Sequence, residues 1–135
     1  PFENIIKLCS KLVEKNKIPV FFIEKKNIDL KEKISNLVPK AQFPEHESNL
    51  SSPALVSCLG KRLDFVITID NGVMHMLALS KVPMISLFGP TNSQKFAPNY
   101  KNSIVLDSKK IYNTKSIEAI SVEDVLQAAK LHLNF

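Results

Sequence analysis

Two short apolar runs with a helical pattern between them constrain the fold of this chain more than any other feature. The runs are Phe65–Ile69 and Met84–Phe88, and each is too short for a buried helix. The apolar positions between them have helical spacing, and Pro83 marks the end of that helix. Nearly continuous apolar strands are typical of a parallel sheet covered on both faces. The pattern therefore predicts a βαβ crossover with a right-handed connection.

The predicted crossover also indicates where a ligand binds. The carboxyl ends of its two parallel strands lie side by side, and open α/β sheets bind ligands at that edge. Asp70-Asn71-Gly72 follows the first strand and Gly89-Pro90-Thr91 follows the second. A helix that begins near Gly72 has unpaired N–H groups and a partial positive charge in its first turn, which suit a phosphate. Gly72 has no Cβ, so a ligand can approach its backbone closely, and His75 is a further candidate donor.

The remaining pattern completes an α/β chain of alternating elements. We expect an amphipathic helix over 3–16, a strand over Ile18–Ile23, a second helix ended by Pro39, and a short helix over 53–59. Phe43 is open between a short strand and a loop, because Pro44 follows it. Later come a polar loop from Thr91 to Asn102, a strand over Ser103–Leu106, an irregular lysine-rich stretch over 107–120, and a helix with a capping box at Ser121–Asp124 that runs through Leu133. Together these predict one Rossmann-like domain over 1–135, a three-layer sandwich with a parallel sheet.

Composition limits the class of protein. The chain has 135 residues, of which 44% are hydrophobic and 23% charged, as in globular proteins. The net charge of +5 favours acidic partners, namely nucleic acid, phosphorylated substrates or an anionic membrane surface. The lysines are spread along the chain, which favours a solvated surface over a nucleic-acid patch. Cys9 and Cys58 lack metal-ligand spacing, so we expect two reduced core thiols in a cytoplasmic protein.

The motifs at the two strand ends resemble the signature of one enzyme family. Asp70-Asn71-Gly72-x-x-His75, followed by an apolar strand and Phe88-Gly89-Pro90-Thr91, is similar to glycosyltransferase family 9, the ADP-heptose:lipopolysaccharide heptosyltransferases. The likeness spans roughly Ser52 to Pro98 and is weaker towards both ends. It implies a GT-B fold, in which two Rossmann-like domains form a cleft. The chain looks like the C-terminal, donor-binding half of a longer two-domain protein that begins before Pro1.

The resemblance also implies roles for individual residues. Gly72, its neighbours and His75 would hold the donor pyrophosphate, while Asp70 would contact sugar hydroxyls or fix the loop. No catalytic base is expected in this chain, because the family's catalytic carboxylate lies in the N-terminal domain, and neither a metal nor a cofactor is expected. The predicted donor-binding residues are Asp70, Asn71, Gly72, Val73, His75, Gly89, Pro90, Thr91 and, by a looser alignment, Glu24 at the end of the first strand.

The function that the resemblance implies is transfer of heptose from an ADP-heptose-like donor to the lipopolysaccharide inner core. The acceptor would bind through the other domain, so the chain alone is expected to be inactive. The expected location is the cytoplasm, at the inner face of the bacterial inner membrane with peripheral membrane contact, and no nucleic acid is expected as a partner. Two alternatives stay open: another nucleotide-sugar enzyme with a GT-B fold, and a non-catalytic α/β binding module.

Purely structural interpretations of the same residues also stay open. A polar residue before a helix is often only its N-cap, and a histidine in a first turn is often structural. These interpretations are an N-cap at Asp70 or Asn71, a structural His75, a plain turn at Gly89-Pro90, a cap at Thr91, core packing by Met74, Met76 and Met84, and a solvated Lys95.

Overall fold

The computed structural model describes residues 1–49 and 52–131, and its internal contacts divide the chain into two units. The first unit ends at Ser52 and the second begins at Pro53. The first contains helices α1 (Phe2–Glu14), α2 (Ile28–Leu37) and α3 (Pro44–Glu47). The second contains α4 (Pro53–Gly60), β1 (Val66–Ile69), α5 (Gly72–Ala78), β2 (Met84–Phe88), α6 (Ser93–Phe96), β3 (Ser103–Asp107), α7 (Ser108–Tyr112), a 3-10 helix (Ile117–Ala119) and α8 (Val122–Lys130).

The first unit is built on the helical pattern that the sequence shows. Helix α1 is amphipathic and buries Cys9 and Leu12. The same unit has a core cluster of Ile23, Ile34 and Phe43. Phe2 of α1, Phe21 and Ala41 pack against this cluster. The rings of Phe21 and Phe43 stack with their centroids 5.8 Å apart. Stacked rings bury much apolar area, so this aromatic pair stabilises the first unit.

The strand predicted over Ile18–Ile23 is wrong in extent. This segment forms only one parallel bridge, between Val20 and Gln42. Two hydrogen bonds make it: Phe21 N donates to Gln42 O at 2.9 Å and Gln42 N donates to Pro19 O at 2.9 Å. Pro19 and Pro44 have no N–H group to donate, so the pairing cannot lengthen through either residue. Phe43, which the sequence left open between a strand and a loop, follows the bridged Gln42 and is the N-cap residue of α3.

The second unit contains the predicted parallel sheet. Its three strands have the order β1-β2-β3, and both neighbouring pairs are parallel. Val66 pairs with Met84, which in turn pairs with Ser103. Strand β2 is central in this sheet, and its Met84, Ile85 and Phe88 are fully buried. The α/β class and the parallel βαβ pairing are confirmed, because β1 and β2 are joined through α5.

Helices cover the sheet through small and apolar side chains. Ile85 forms a core cluster with Ala128 and Ala129 of α8, and alanines allow the helix to approach closely. Helix α5 packs against β1 and α4, and buries Met74 and Leu77. Ser57 of α4 donates its hydroxyl to Met76 O at 2.9 Å, which ties these two helices together. The predicted core role of Met74 and Met84 is confirmed, while Met76 is half-buried.

Two stretches predicted to be irregular contain short helices. Helix α6 lies in the predicted polar loop, and α7 and the 3-10 helix lie in the lysine-rich stretch. Each α-helix begins at a side-chain cap: Asn92 Oδ1 accepts from Gln94 N at 3.0 Å, and Asp107 Oδ1 accepts from Lys109 N at 2.9 Å. Helices of one turn leave too few residues for periodicity to be visible, so the sequence pattern missed them.

The end of the chain follows the prediction as far as the structure describes it. Ser121 Oγ accepts from Asp124 N, and the Asp124 carboxylate accepts from Ser121 N, so the predicted capping box is present. Leu133, predicted in the same helix, lies outside the described residues.

The two cysteines differ in burial. The expectation of two core thiols is wrong for Cys58, because its side chain is exposed on α4, whereas Cys9 is buried. Among the described helices, none is both long and apolar enough to cross a membrane.

Candidate functional site

The carboxyl ends of β1, β2 and β3 lie side by side at one edge of the sheet. Ile69 pairs with Leu87, and Phe88 pairs with Asp107, so the segments that follow these residues leave the same edge. We call this edge the strand-end site and define it as Asp70–His75, Gly89–Thr91 and Asp107–Lys109. Open α/β sheets bind ligands at this edge, so the predicted motifs come together where the fold favours a ligand.

On the β1 side, Asn71 is the residue that caps α5. Its Oδ1 accepts from Met74 N at 2.9 Å, so the capping alternative holds for Asn71 and not for Asp70. Gly72 is the first helical residue, and a Cβ added there would meet nothing within 4 Å. Val73 is half-buried. The backbone at Gly72 therefore faces open space, which leaves room for a ligand beside the first turn.

Asp70 and His75 approach each other across this turn. His75 Nε2 lies 3.9 Å from Asp70 Oδ1. The side chain of His75 is 55% exposed and that of Asp70 is 17% exposed. An ion pair at this distance exists only when the imidazole carries a second proton. His75 is thus the more exposed of the two side chains. Its imidazole can donate a hydrogen bond to a ligand without breaking a buried hydrogen bond within the protein.

On the β2 side, Gly89 has a packing reason to be glycine. A Cβ there would lie 2.8 Å from Lys115 O and 2.9 Å from Ile117 N, both of them backbone atoms. Gly89 is buried, whereas Pro90 and Thr91 are exposed. Close packing against residues 115–117 accounts for this glycine without any ligand. The cap predicted as an alternative for Thr91 is wrong, because Asn92 caps α6.

A buried carboxylate at the end of β3 organises this side of the site, and it was not among the residues predicted from the sequence. Asp107 Oδ2 accepts from Ser93 Oγ at 2.5 Å, and Oδ1 accepts from Lys109 N at 2.9 Å. Lys109 Nζ in turn donates to Thr91 O at 2.7 Å and to Pro90 O at 3.3 Å. The available signal was an aspartate directly after the predicted strand Ser103–Leu106, just as Asp70 directly follows the apolar run Phe65–Ile69.

Hydrogen bonding sets the charge state of Asp107. Its burial alone raises the pKa, but the hydrogen bonds from Ser93 Oγ and Lys109 N, with the nearby charges of Lys109 and Lys110, outweigh burial. The pKa of Asp107 is therefore below its ordinary value. A carboxylate that stays ionised keeps both hydrogen bonds, so the connection between α6 and α7 persists at neutral pH.

Glu24 lies in the first unit, at the end of the segment that follows α1. Its Oε2 is 2.7 Å from Lys26 Nζ, and both side chains are mostly exposed. The hydrogen bond and charge of Glu24 raise the pKa of Lys26. The glutamate predicted to meet the nucleoside thus already has a local cation as its partner.

Lys95 and the possible metal ligands were the remaining candidate groups. Lys95 is exposed, and its Nζ lies 5.2 Å from the centroid of the Phe96 ring. Within residues 1–49 and 52–131, no three His, Cys, Asp or Glu side chains are grouped so that they could hold a metal ion.

Comparison with protein families shows which family contains the strand-end site. The sequence profile of glycosyltransferase family 9 (heptosyltransferase) matches residues 23–126, which include Glu24 and the whole strand-end site. The chain belongs to glycosyltransferase family 9. The match extends beyond the Ser52–Pro98 region on both sides, towards which the motif likeness was predicted to be weaker. No curated protein sequence matches the chain significantly.

Solved structures of this family share the fold. A family 9 glycosyltransferase from Veillonella parvula has 22% identity and a TM-score of 0.81, and covers 98% of this chain. The E. coli ADP-heptose LPS heptosyltransferase II has 18% identity and a TM-score of 0.77, and the E. coli heptosyltransferase WaaC with ADP has 16% and 0.82; each covers 98% of this chain. The chain spans 41%, 41% and 39% of those three proteins, respectively. The predicted relation to GT-B glycosyltransferase structures is confirmed at the level of the fold.

Proposed function

We propose that this family 9 chain is the donor-binding domain of a glycosyltransferase and forms the C-terminal part of a longer two-domain protein. In this proposal it binds an ADP-heptose-like nucleotide sugar, and the other domain binds a lipopolysaccharide core acceptor and supplies the catalytic base. The reaction needs no metal and takes place at the cytoplasmic face of the inner membrane. The chain alone lacks transferase activity, because half of the cleft belongs to the other domain.

One observation carries the proposal: both family motifs lie at the carboxyl ends of adjacent parallel strands. Asp70-Asn71-Gly72-x-x-His75 follows β1, and Gly89-Pro90-Thr91 follows β2. The space beside Gly72 is open, and His75 is exposed next to it. These features support placing the donor diphosphate between the two motifs, as ligands are placed in other open α/β sheets.

The chemistry of transfer supports different roles for the charged residues. Departure of a nucleoside diphosphate builds negative charge, which N–H groups and side-chain donors stabilise in a site that holds them in place. Backbone N–H groups near Gly72 and the imidazole of His75 suit that role. Asp70 carries the same sign of charge as the diphosphate, so we assign it to sugar hydroxyls or to the loop, and its 3.9 Å distance from His75 Nε2 suits either.

The names of two structural relatives favour an adenine nucleotide. One is described as an ADP-heptose LPS heptosyltransferase, and the other as a heptosyltransferase with ADP. These names support ADP as the nucleotide of the proposed donor.

A nucleotide panel tests the proposal. The full-length protein is heated with ADP, UDP, GDP or NAD, and unfolding is followed by dye fluorescence. A nucleotide at a hundred times its dissociation constant stabilises the fold by about 2.7 kcal/mol. Of these four nucleotides, we expect only ADP to stabilise the protein in this way. Preference for UDP or GDP would contradict the ADP donor but retain a nucleotide-sugar enzyme, and no response to any nucleotide would favour a non-catalytic module.

Two substitutions at Gly72 make the test specific to the strand-end site. Gly72→Glu places a carboxylate where the diphosphate would lie, and an acidic residue in the first turn of a helix does not harm the fold. Gly72→Ala adds one methyl group in open space. We expect Gly72→Glu and His75→Ala to lose the ADP response and Gly72→Ala to keep it. A full ADP response in Gly72→Glu would place the nucleotide elsewhere.

A further inference from the structure

We infer that Lys109 is a positioning residue for the donor site, because it fixes the direction in which the Gly89-Pro90-Thr91 loop presents its backbone amides. The inference rests on the proposed function, in which this loop lines the donor diphosphate. Lys109 was assigned no role by the sequence motifs, and it lies nearly twenty positions after the loop that it holds.

The ammonium group of Lys109 is directed at two consecutive carbonyl groups. Its Nζ lies 2.7 Å from Thr91 O and 3.3 Å from Pro90 O. Hydrogen bonds from a charged donor are about twice as strong as those between neutral groups. Two carbonyls held by one cation leave the loop little freedom to rotate its peptide planes.

The planarity of the peptide bond converts this contact into an orientation of N–H groups. In a trans peptide the C=O and the following N–H point in opposite directions. Because the carbonyls of Pro90 and Thr91 face Lys109, the amides of Thr91 and Asn92 face away from it. Within the described ranges, neither amide donates a hydrogen bond to the protein. These two groups are therefore free to bind an anion on the side opposite Lys109.

The position of Lys109 is itself fixed by the buried Asp107. The carboxylate accepts from Lys109 N at 2.9 Å as the cap of α7, and from Ser93 Oγ at 2.5 Å at the start of α6. Asp107 is only 4% exposed. The Asp107 carboxylate thus binds both Ser93, two residues after the loop, and Lys109, whose side chain reaches back to the loop.

Three variants of the full-length protein test the inference, with ADP as the probe. Lys109→Met removes the ammonium group and keeps an unbranched chain. Lys109→Arg keeps the charge and can donate to two carbonyls. Lys110→Met removes an exposed neighbouring charge from the same helix and is the matched control. Calorimetry gives the dissociation constant of ADP, and NMR gives the chemical shifts and hydrogen exchange of the amides of residues 91 and 92.

We expect Lys109→Met to raise the dissociation constant of ADP about tenfold, or about 1.4 kcal/mol of binding free energy, because the loop loses the cation that orients its amides. The amides of residues 91 and 92 shift in this variant, while the melting temperature without ligand changes little. Lys109→Arg restores most of the affinity, and Lys110→Met leaves affinity and amide shifts as in the wild type.

An unchanged dissociation constant of ADP in Lys109→Met would overturn the inference. Loss of ADP affinity with unchanged amides at 91 and 92 would make Lys109 a direct phosphate ligand and overturn the positioning role. Equal losses in Lys109→Met and Lys110→Met would reduce the effect to net charge and overturn it as well. If the wild type binds no ADP, the proposed function fails, and the amide shifts of Lys109→Met alone decide whether Lys109 holds the loop.

Discussion

Gly72 and Gly89 follow the ends of neighbouring strands, yet they are glycines for different reasons. A Cβ at Gly72 meets nothing within 4 Å, whereas a Cβ at Gly89 lies 2.8 Å from Lys115 O. A backbone atom cannot move aside as the tip of a side chain can. Gly89 therefore serves the packing of the loop, while the open face at Gly72 is available to a ligand.

The two glycines make a matched pair for mutation. We expect Gly89→Ala to destabilise the protein by about 1–3 kcal/mol, the range for overpacking a tight site. Gly72→Ala, at an open helical position, should change stability by less than about 0.5 kcal/mol. Urea unfolding followed by circular dichroism measures both. Equal stability of the two variants would contradict the close approach of residues 115–117 to Gly89.

The two cysteines also differ at the scale of the residue. Cys9 is buried in α1, and its burial raises the thiol pKa to about 11, whereas Cys58 is exposed on α4. Only the thiolate reacts quickly with disulfide reagents. We expect one thiol to react with Ellman's reagent in the native protein and two after denaturation, with Cys58→Ser abolishing the fast reaction. Fast labelling that persists in Cys58→Ser would contradict the burial of Cys9.

Among the elements, α8 depends on a polar cluster at its first turn. Asp124 accepts hydrogen bonds from Tyr112 OH at 2.7 Å and from Ser121 N and Ser121 Oγ at 2.8 Å each. The hydrogen bond from Tyr112 contributes most to holding the Asp124 pKa below the ordinary 3.8, and the bonds from Ser121 act in the same direction against burial. The cluster connects α7 to α8 and orients the helix that covers the sheet.

This cluster predicts how stability depends on pH. The folded-state pKa values of Asp124 and Asp107 are lower than those of the unfolded chain, so both groups stabilise the fold above the unfolded values. That contribution is lost as pH falls from about 4 through the lower folded values. Urea unfolding between pH 7 and pH 3 should show the decline, and Tyr112→Phe should make it shallower. An identical pH profile in Tyr112→Phe would contradict the role of this hydrogen bond.

The elements also show which parts of the fold the sequence could predict. Strand β2 was predicted residue for residue, because a central parallel strand is buried on both faces and four of its five side chains are apolar. The strand over Ile18–Ile23 looked similar in sequence but has only one bridge, because pairing depends on a partner that local pattern does not reveal. Helices α6 and α7 were missed, because side-chain caps and not periodicity define them.

The same limit applies to the candidate site. Asp70, Asn71 and Gly72 were placed at a strand end by the crossover pattern alone, and the structure places them there. The connection from Ser93 through Asp107 to Lys109 joins residues that are up to 16 positions apart. A polar contact between segments so far apart leaves no periodic trace in a single sequence. The strand-end motifs were therefore predictable, and the lysine that holds one of them was not.

At the scale of the whole molecule, the central claim is that the donor diphosphate lies between the two family motifs. The chain spans about two fifths of the solved structures that it matches. Within the second unit, the claim depends on the parallel sheet that places Asp70 and Gly89 on one edge.

A crystal structure of the full-length protein with ADP tests that claim most directly. The account predicts that the diphosphate lies beside Gly72 and His75, with the amides of Thr91 and Asn92 on its other side. Diphosphate bound away from both motifs, with the space beside Gly72 filled only by solvent, would contradict it.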